Sequence, residues 1–73
     1  MNAEDLEYIL SEGIKMLEHE QEFEGVELRE LITFARQRYK VSEDEVRTTI
    51  ARLQQKRKMA SQIVGTTCYV FNI

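Results

Sequence analysis

Residues 39–53 read YKVSEDEVRTTIARL and contain the clearest local signal in the chain. Ser42 is followed three residues later by Glu45, the spacing of a capping box at the start of a helix. Apolar residues then recur every three or four positions, which predicts one buried stripe on a helix over residues 43–57. That stripe consists of Val46, Ile50 and Leu53. Residues 40–41 are too short a connection for anything but a tight turn after a preceding helix.

Two further helices are predicted before this turn by the same spacing. The second helix opens near Glu27, and its apolar positions are Leu28, Leu31, Ile32, Ala35 and Tyr39. The first lies within residues 3–21, with apolar positions at Leu6, Ile9, Leu10, Ile14 and Leu17. Gly13 falls inside that first stripe, where glycine either lets another backbone approach closely or is simply tolerated. Residues 18–24 are polar and predict a loop, followed by a very short extended segment at Gly25 and Val26.

From Met59 onward the hydrophobic period changes from that of a helix to the period of two that is typical of strands. Two such runs flank Gly65 and Thr66, and the second, residues 67–73, is rich in β-branched and aromatic residues. We therefore expect an α+β fold of three helices followed by a C-terminal β-hairpin. The predicted core consists of Leu6, Leu10, Ile14, Leu17, Leu28, Leu31, Ile32, Ala35, Val46, Ile50, Leu53, Ile63, Tyr69 and Phe71.

This order of elements resembles the winged helix-turn-helix family over nearly the whole chain. The resemblance is carried by residues 25–32 (GVELRELI), the turn at residues 39–42, the capped helix at residues 43–53 and the hairpin from Met59. It implies a small winged helix with the hairpin as its wing. In this family a glycine often follows the third helix, whereas here Lys56, Arg57 and Lys58 fill that place. Either the third helix runs on, or the junction with the wing is less sharply bent.

The resemblance also implies that the third helix enters the major groove of double-stranded DNA. Arginine, glutamine and threonine are suited to contacts with base edges and phosphates. Carried over by position, the residues facing bases or the adjacent backbone are Arg47, Thr48, Ala51, Arg52 and Gln55, and those contacting phosphates are Lys40, Lys56, Arg57 and Lys58. The expected function is that of a transcriptional regulator or a DNA-binding accessory factor. A wing tip without charge, at residues 64–67, and an acidic sequence pI of about 5.1 weigh against this hypothesis.

The net charge of −3 conceals two different halves. Residues 1–27 hold nine acidic residues and one lysine, whereas residues 28–73 hold nine basic and four acidic residues. This asymmetry favours an alternative hypothesis, an adaptor that docks on a protein partner through its acidic first helix. The residues of that surface are Tyr8, Glu12, Lys15 and His19. Copies of the chain could also pair their opposite charges as a homodimer or head to tail, and one molecule could bridge DNA and a protein.

Several classes of function find no support in the sequence. Its 73 residues leave room for one domain, 1–73, and for no separate catalytic domain. His19 and Cys68 are the single histidine and the single cysteine, so neither a zinc site nor a catalytic pair is indicated. We expect no enzyme activity, no cofactor, no metal and no small-molecule substrate. We also expect a cytoplasmic protein, because no apolar run could span a membrane and no signal peptide or disulfide framework is apparent.

Overall fold

Three helices precede the C-terminal hairpin in the computed structural model, which describes residues 2–18 and 25–73. The elements are α1 (Ala3–Glu18), β1 (Val26–Glu27), α2 (Leu28–Tyr39), α3 (Glu43–Gln55), β2 (Met59–Val64) and β3 (Thr67–Asn72). The predicted α+β fold is confirmed, and the short extended segment after Gly25 is strand β1. Most of the predicted loop at residues 18–24 lies outside the described residues. None of the described helices has the length and apolar character needed to cross a membrane.

The sheet is antiparallel with the strand order β1-β3-β2, so the last strand lies in the middle. Val70 of β3 is opposite both Val26 of β1 and Ser61 of β2. Because opposed residues share a face, Val26, Val70 and Met59 all point toward the helices and are buried. The end of β3 is also tied to α1, because the Asn72 side-chain amide donates a hydrogen bond to the Ser11 carbonyl at 3.0 Å.

The helices bury most of the residues that their spacing predicted. Tyr39 is the exception: it was predicted on the buried face of α2, but it is the last residue of that helix and is exposed. Most of the predicted helical core is buried, and Leu17 and Leu28 are half-buried and pack against it. The sequence prediction missed four apolar residues of the core, which lie in strands and in the α2–α3 turn rather than on helix stripes. These are Val26, Val41, Met59 and Val70.

The prediction was wrong about which residues of the hairpin enter the core. Ile63 shares a face with Met59 and Val70, but it lies near the tip of the hairpin and is 73% exposed. Tyr69 and Phe71 lie on the other face of the sheet and are half-buried. The reason is the strict alternation of side chains along a strand, which cannot place both Val70 and its neighbours on the helix side.

Gly13 provides space for a side chain of α2. A Cβ atom at this position would lie 2.7 Å from Cε1 of Phe34 and 3.3 Å from Cδ1 of Leu31. The close approach considered from the sequence is therefore made by an aromatic ring, and not by another backbone. The Phe34 ring is held in place by the Arg38 guanidinium, 4.9 Å from its centroid, and by an edge-to-face contact with Tyr39.

Helix α3 ends at Gln55, two residues before the predicted end, and the chain then turns sharply into β2. Arg57 adopts a φ of 59°, the left-handed conformation that glycine usually provides at this position. The Lys58 amide donates to the Leu53 carbonyl at 2.9 Å, and the Arg57 amide donates to the Gln54 carbonyl at 3.0 Å. This pair of bonds is a Schellman motif. Both sequence-based alternatives, a longer helix and a gentler bend, are wrong because an arginine takes the conformation expected of glycine.

Candidate nucleic-acid interface

The capping box predicted at the start of α3 is present and fixes the beginning of the helix. The Ser42 hydroxyl accepts a hydrogen bond from the Glu45 amide at 3.1 Å, and the Glu45 carboxylate accepts one from the Ser42 amide at 3.3 Å. One turn later, the buried Thr49 hydroxyl donates to the Glu45 carbonyl at 2.7 Å. These bonds hold α3 as an ordered helix whose outer face is free to meet a ligand.

The outer face of α3 carries short polar side chains. Thr48, Ala51 and Gln55 are exposed, as their positions opposite the core stripe predict. Asp44 is exposed on the same face and adds a negative charge that would repel a phosphate. Arg47 is also exposed, on the side of the helix that faces the hairpin. Four of the five residues predicted to face bases therefore lie on this solvent-exposed surface of α3.

A cleft of about 180 Å³ separates α3 from the hairpin. Arg47 and Gln54 line it from the helix, and Ser61 and Cys68 line it from the sheet. The Gln54 amide donates to the Ser61 hydroxyl at 2.9 Å, which ties the helix to the hairpin. Gln54 was not among the predicted site residues, although its spacing of seven residues from Arg47 places both side chains on the same side of α3.

Two arginines from two helices, Arg47 and Arg29, meet on Glu43 at the start of α3, and the charge of a third, Arg36, acts on the same carboxylate. Only Arg47 among them was predicted from the sequence as a site residue. Arg47 Nε lies 2.9 Å from Oε2 of Glu43, and Arg29 Nη1 of α2 lies 3.5 Å from the other carboxylate oxygen. The hydrogen bond from Arg47 holds the pKa of the Glu43 carboxyl below its usual range, and the charges of Arg47, Arg29 and Arg36 act in the same direction. We refer to Arg29, Arg36 and Arg47 as the arginine cluster.

Arg52 points away from the arginine cluster, toward the start of α1. Its side chain is half-buried, and its Nη2 group donates to the Thr49 hydroxyl at 3.3 Å. Arg52 and Thr48 line a shallow cleft with Asn2, Ala3 and Leu6 of the α1 end. The structure thus places Arg52 at the boundary between α1 and α3, separate from the side of α3 that carries Arg47.

The basic residues predicted to contact phosphates lie at both ends of α3. Lys40 is exposed in the turn before α3, where its φ is 57°. Lys56, Arg57 and Lys58 are exposed after the helix. Lys56 is already paired, because its Nζ lies 2.9 Å from both carboxylate oxygens of Glu7 in α1.

The second predicted surface lies on α1. Tyr8 is 68% exposed, and Glu12 and Lys15 form an ion pair at 3.4 Å. His19, the fourth residue of this prediction, lies outside the described residues. Tyr8 lines a cleft with Lys56 and Lys58, so the surface predicted to bind a protein adjoins part of the surface predicted to bind phosphates.

Within residues 2–18 and 25–73, no group of three potential ligands among histidine, cysteine, aspartate and glutamate is arranged to hold a metal ion. Comparison of the chain with protein-family models, with curated proteins and with solved structures found no match in any of the three.

Proposed function

We propose that this protein binds double-stranded DNA, with the outer face of α3 in the major groove, and acts as a transcriptional regulator or as a DNA-binding accessory factor. The observation that carries the proposal is the convergence of the arginine cluster on the exposed, capped end of α3. An α-helix fits the major groove, and arginine and glutamine are the side chains that most often form paired hydrogen bonds with guanine and adenine. Gln55 is exposed and available for such a contact, and Arg47, which lies on the side of α3 that faces the hairpin, would contact the adjacent phosphate backbone.

Two arginines of α2 support the proposal, because Arg29 reaches Glu43 at the start of α3 and the charge of Arg36 acts on the same carboxylate. Arg29 and Arg36 would contact phosphates beside the groove that α3 enters, and such contacts set the register of a protein on the duplex. Ala51 supports it as well, because a small side chain on the exposed face lets the helix approach base edges closely. We place this activity in the cytoplasm, in keeping with a chain whose single cysteine is free.

The test is a fluorescence anisotropy titration of labelled duplex DNA, random and genomic, at several salt concentrations. We expect binding that weakens steeply with salt, because each neutralised phosphate releases counterions. Replacing Arg47→Gln should weaken binding about three- to tenfold and make the slope of log K against log salt shallower by about 0.9, because one phosphate contact is lost. Lys15→Gln is the matched control, since it removes one positive charge from the exposed face of α1 and should change affinity less than about twofold. Equal losses in the two variants, or no binding at low salt, would contradict the proposal.

A second function is favoured by the exposure of Tyr8 on the outer face of α1. Tyrosine is one of the residues enriched at the central positions that contribute most of the binding energy in protein interfaces. The partner would carry a basic surface, attracted by the acidic residues around Tyr8. This adaptor function is compatible with DNA binding through the side of α3 that carries Arg47, whereas Lys56 and Lys58 adjoin the surface around Tyr8.

Site-specific cross-linking distinguishes the adaptor function from non-specific association. A photoreactive phenylalanine analogue in place of Tyr8 should cross-link to one partner in cells, and Glu12→Arg in the same protein should reduce the yield. The same analogue in place of Tyr39, which is exposed at the end of α2, is the control. Identical products from positions 8 and 39 would argue against a partner surface on α1.

A further inference from the structure

We propose that Glu43 occupies, within the arginine cluster, the position of a DNA backbone phosphate and competes with that phosphate for Arg47 and Arg29. The proposal rests on the proposed function and concerns how that site is regulated. It makes Glu43 a residue that restrains phosphate contacts.

The geometry of the cluster supports this competition. A carboxylate offers two acceptor oxygens to guanidinium groups, much as two oxygens of a phosphodiester do, and arginine pairs with both groups in the same planar arrangement. In Glu43 the two oxygens are divided between two helices, because Oε2 meets Arg47 Nε at 2.9 Å and Oε1 meets Arg29 Nη1 at 3.5 Å. A phosphate that bridges α2 and α3 would need the same donors.

The location of Glu43 also fits a site for an anion. It is the first residue of α3, where the amide dipoles of the helix favour negative charge. Glu45 in the same turn is engaged differently, because its carboxylate accepts hydrogen bonds from the backbone amide and the hydroxyl of Ser42. Asp44 lies on the opposite side of the turn, in the cleft shared with α1 and Arg52. Glu43 is therefore the carboxylate of this turn that points into the arginine cluster.

The competition has a consequence for recognition. Sequence-independent binding to DNA comes almost entirely from phosphate contacts, whereas base contacts determine sequence preference. A carboxylate that a backbone phosphate must displace lowers the affinity of the protein for every DNA sequence alike. Glu43 would thus reduce non-specific binding while leaving the contacts of Thr48 and Gln55 with base edges unchanged.

The experiment compares Glu43→Gln with Glu12→Gln by anisotropy on random-sequence duplex DNA. Both variants remove one negative charge, and both residues form a partly exposed ion pair, Glu12 with Lys15 on α1. We expect Glu43→Gln to bind about three- to tenfold more tightly than the wild type, with a slope of log K against log salt steeper by about 0.9 for one additional phosphate. Glu12→Gln should change affinity less than about twofold.

A double-mutant cycle with Arg47→Gln tests whether Glu43 acts through the arginine cluster. The gain in DNA affinity from Glu43→Gln should be smaller in the Arg47→Gln background, because Glu43 then has no contact with Arg47 that its replacement could remove.

Equal gains in affinity for Glu43→Gln and Glu12→Gln would show an effect of net charge alone and overturn the inference, while the proposed function stands. If the wild type binds DNA and Glu43→Gln binds it no more tightly, the inference is likewise overturned and the proposed function stands. If neither the wild type nor Glu43→Gln binds DNA, both proposals are wrong. Circular dichroism verifies that each variant is folded.

Discussion

Arg57 and Lys40 hold left-handed backbone conformations, with φ of 59° and 57°. A residue with a Cβ atom pays roughly 1–2 kcal/mol for this conformation, because the Cβ lies close to the following carbonyl oxygen. Arg57 holds it because two backbone hydrogen bonds close the end of α3 around it. The arginine therefore places a positively charged side chain at the junction of α3 and the hairpin, whereas a glycine there would carry no side chain.

We expect Arg57→Gly to raise the free energy of unfolding by about 0.5–1 kcal/mol. Relief of the left-handed strain exceeds the extra entropy that glycine gives the unfolded chain. Urea denaturation measures this change. Lys58→Gly is the control, because Lys58 has no positive φ and the same replacement there should lower stability. If Arg57→Gly is as destabilising as Lys58→Gly, Arg57 does not hold a strained left-handed conformation.

The same residue connects stability with the proposed function. Arg57 is one of the predicted phosphate contacts, so Arg57→Gly should weaken DNA binding while it stabilises the fold. A variant that is more stable but binds DNA more weakly would show that the weaker binding comes from the lost phosphate contact and not from unfolding.

The three helices were predictable from the sequence, whereas the orientation of the hairpin was not. The apolar stripes of α1, α2 and α3 each leave one possible buried face. Strand β3 has apolar residues on both faces, with Cys68 and Val70 on one and Tyr69 and Phe71 on the other. Its pattern therefore could not indicate which face meets the helices. The pairing with Val26 of β1 settles the question, and although the sequence predicted a short extended segment there, two residues are too few to indicate which strand they pair with or in which register.

Two residues on the same face of β2 test the observed register. Met59 is buried, whereas Ile63 near the tip is exposed. Met59→Ala should lower the free energy of unfolding by about 2–5 kcal/mol, the range for truncating a large buried side chain. Ile63→Ala should change it by less than about 0.5 kcal/mol. Chemical denaturation provides both values, and similar losses at the two positions would contradict the register.

The candidate site, like the fold, could be predicted from the sequence only in part. The exposed face of α3 follows from helix periodicity and the capping box, and so Thr48, Ala51 and Gln55 were found from the sequence. Arg29 and Arg36 were missed because they join Arg47 only through the packing of α2 on α3. Their spacing of seven residues places them on one side of α2, but it does not indicate which neighbouring helix that side meets.

An ion pair between distant parts of the chain joins the acidic α1 to the end of α3. Glu7 keeps only 12% of its side-chain exposure and is paired with Lys56, 49 positions away. Lys15, in contrast, pairs within its own helix with Glu12. The first pair links two elements, whereas the second supports a single helix.

We expect Lys56→Gln to lower the free energy of unfolding by about 1 kcal/mol, the upper end for a partly exposed pair, because Glu7 is left without its cation. Lys15→Gln should cost about 0.3 kcal/mol or less. Thermal unfolding followed by circular dichroism, repeated in high salt, measures both variants. The cost of Lys56→Gln should persist in salt more than that of Lys15→Gln, because Glu7 is shielded from solvent. Equal costs would argue against a role for the Glu7–Lys56 pair in docking α1.

The central place of β3 in the sheet governs how quickly the chain can fold. This strand pairs with both β1 and β2. It also anchors α1, because the Asn72 side chain donates a hydrogen bond to the carbonyl of Ser11, 61 positions earlier. Contacts between such distant positions require large loops to close before any stabilisation is gained, which slows folding relative to a bundle with mostly local contacts. We therefore expect the three helices to become stably packed only when β3 is in place. Folding would then be a single cooperative step, slower than that of a three-helix bundle of equal length.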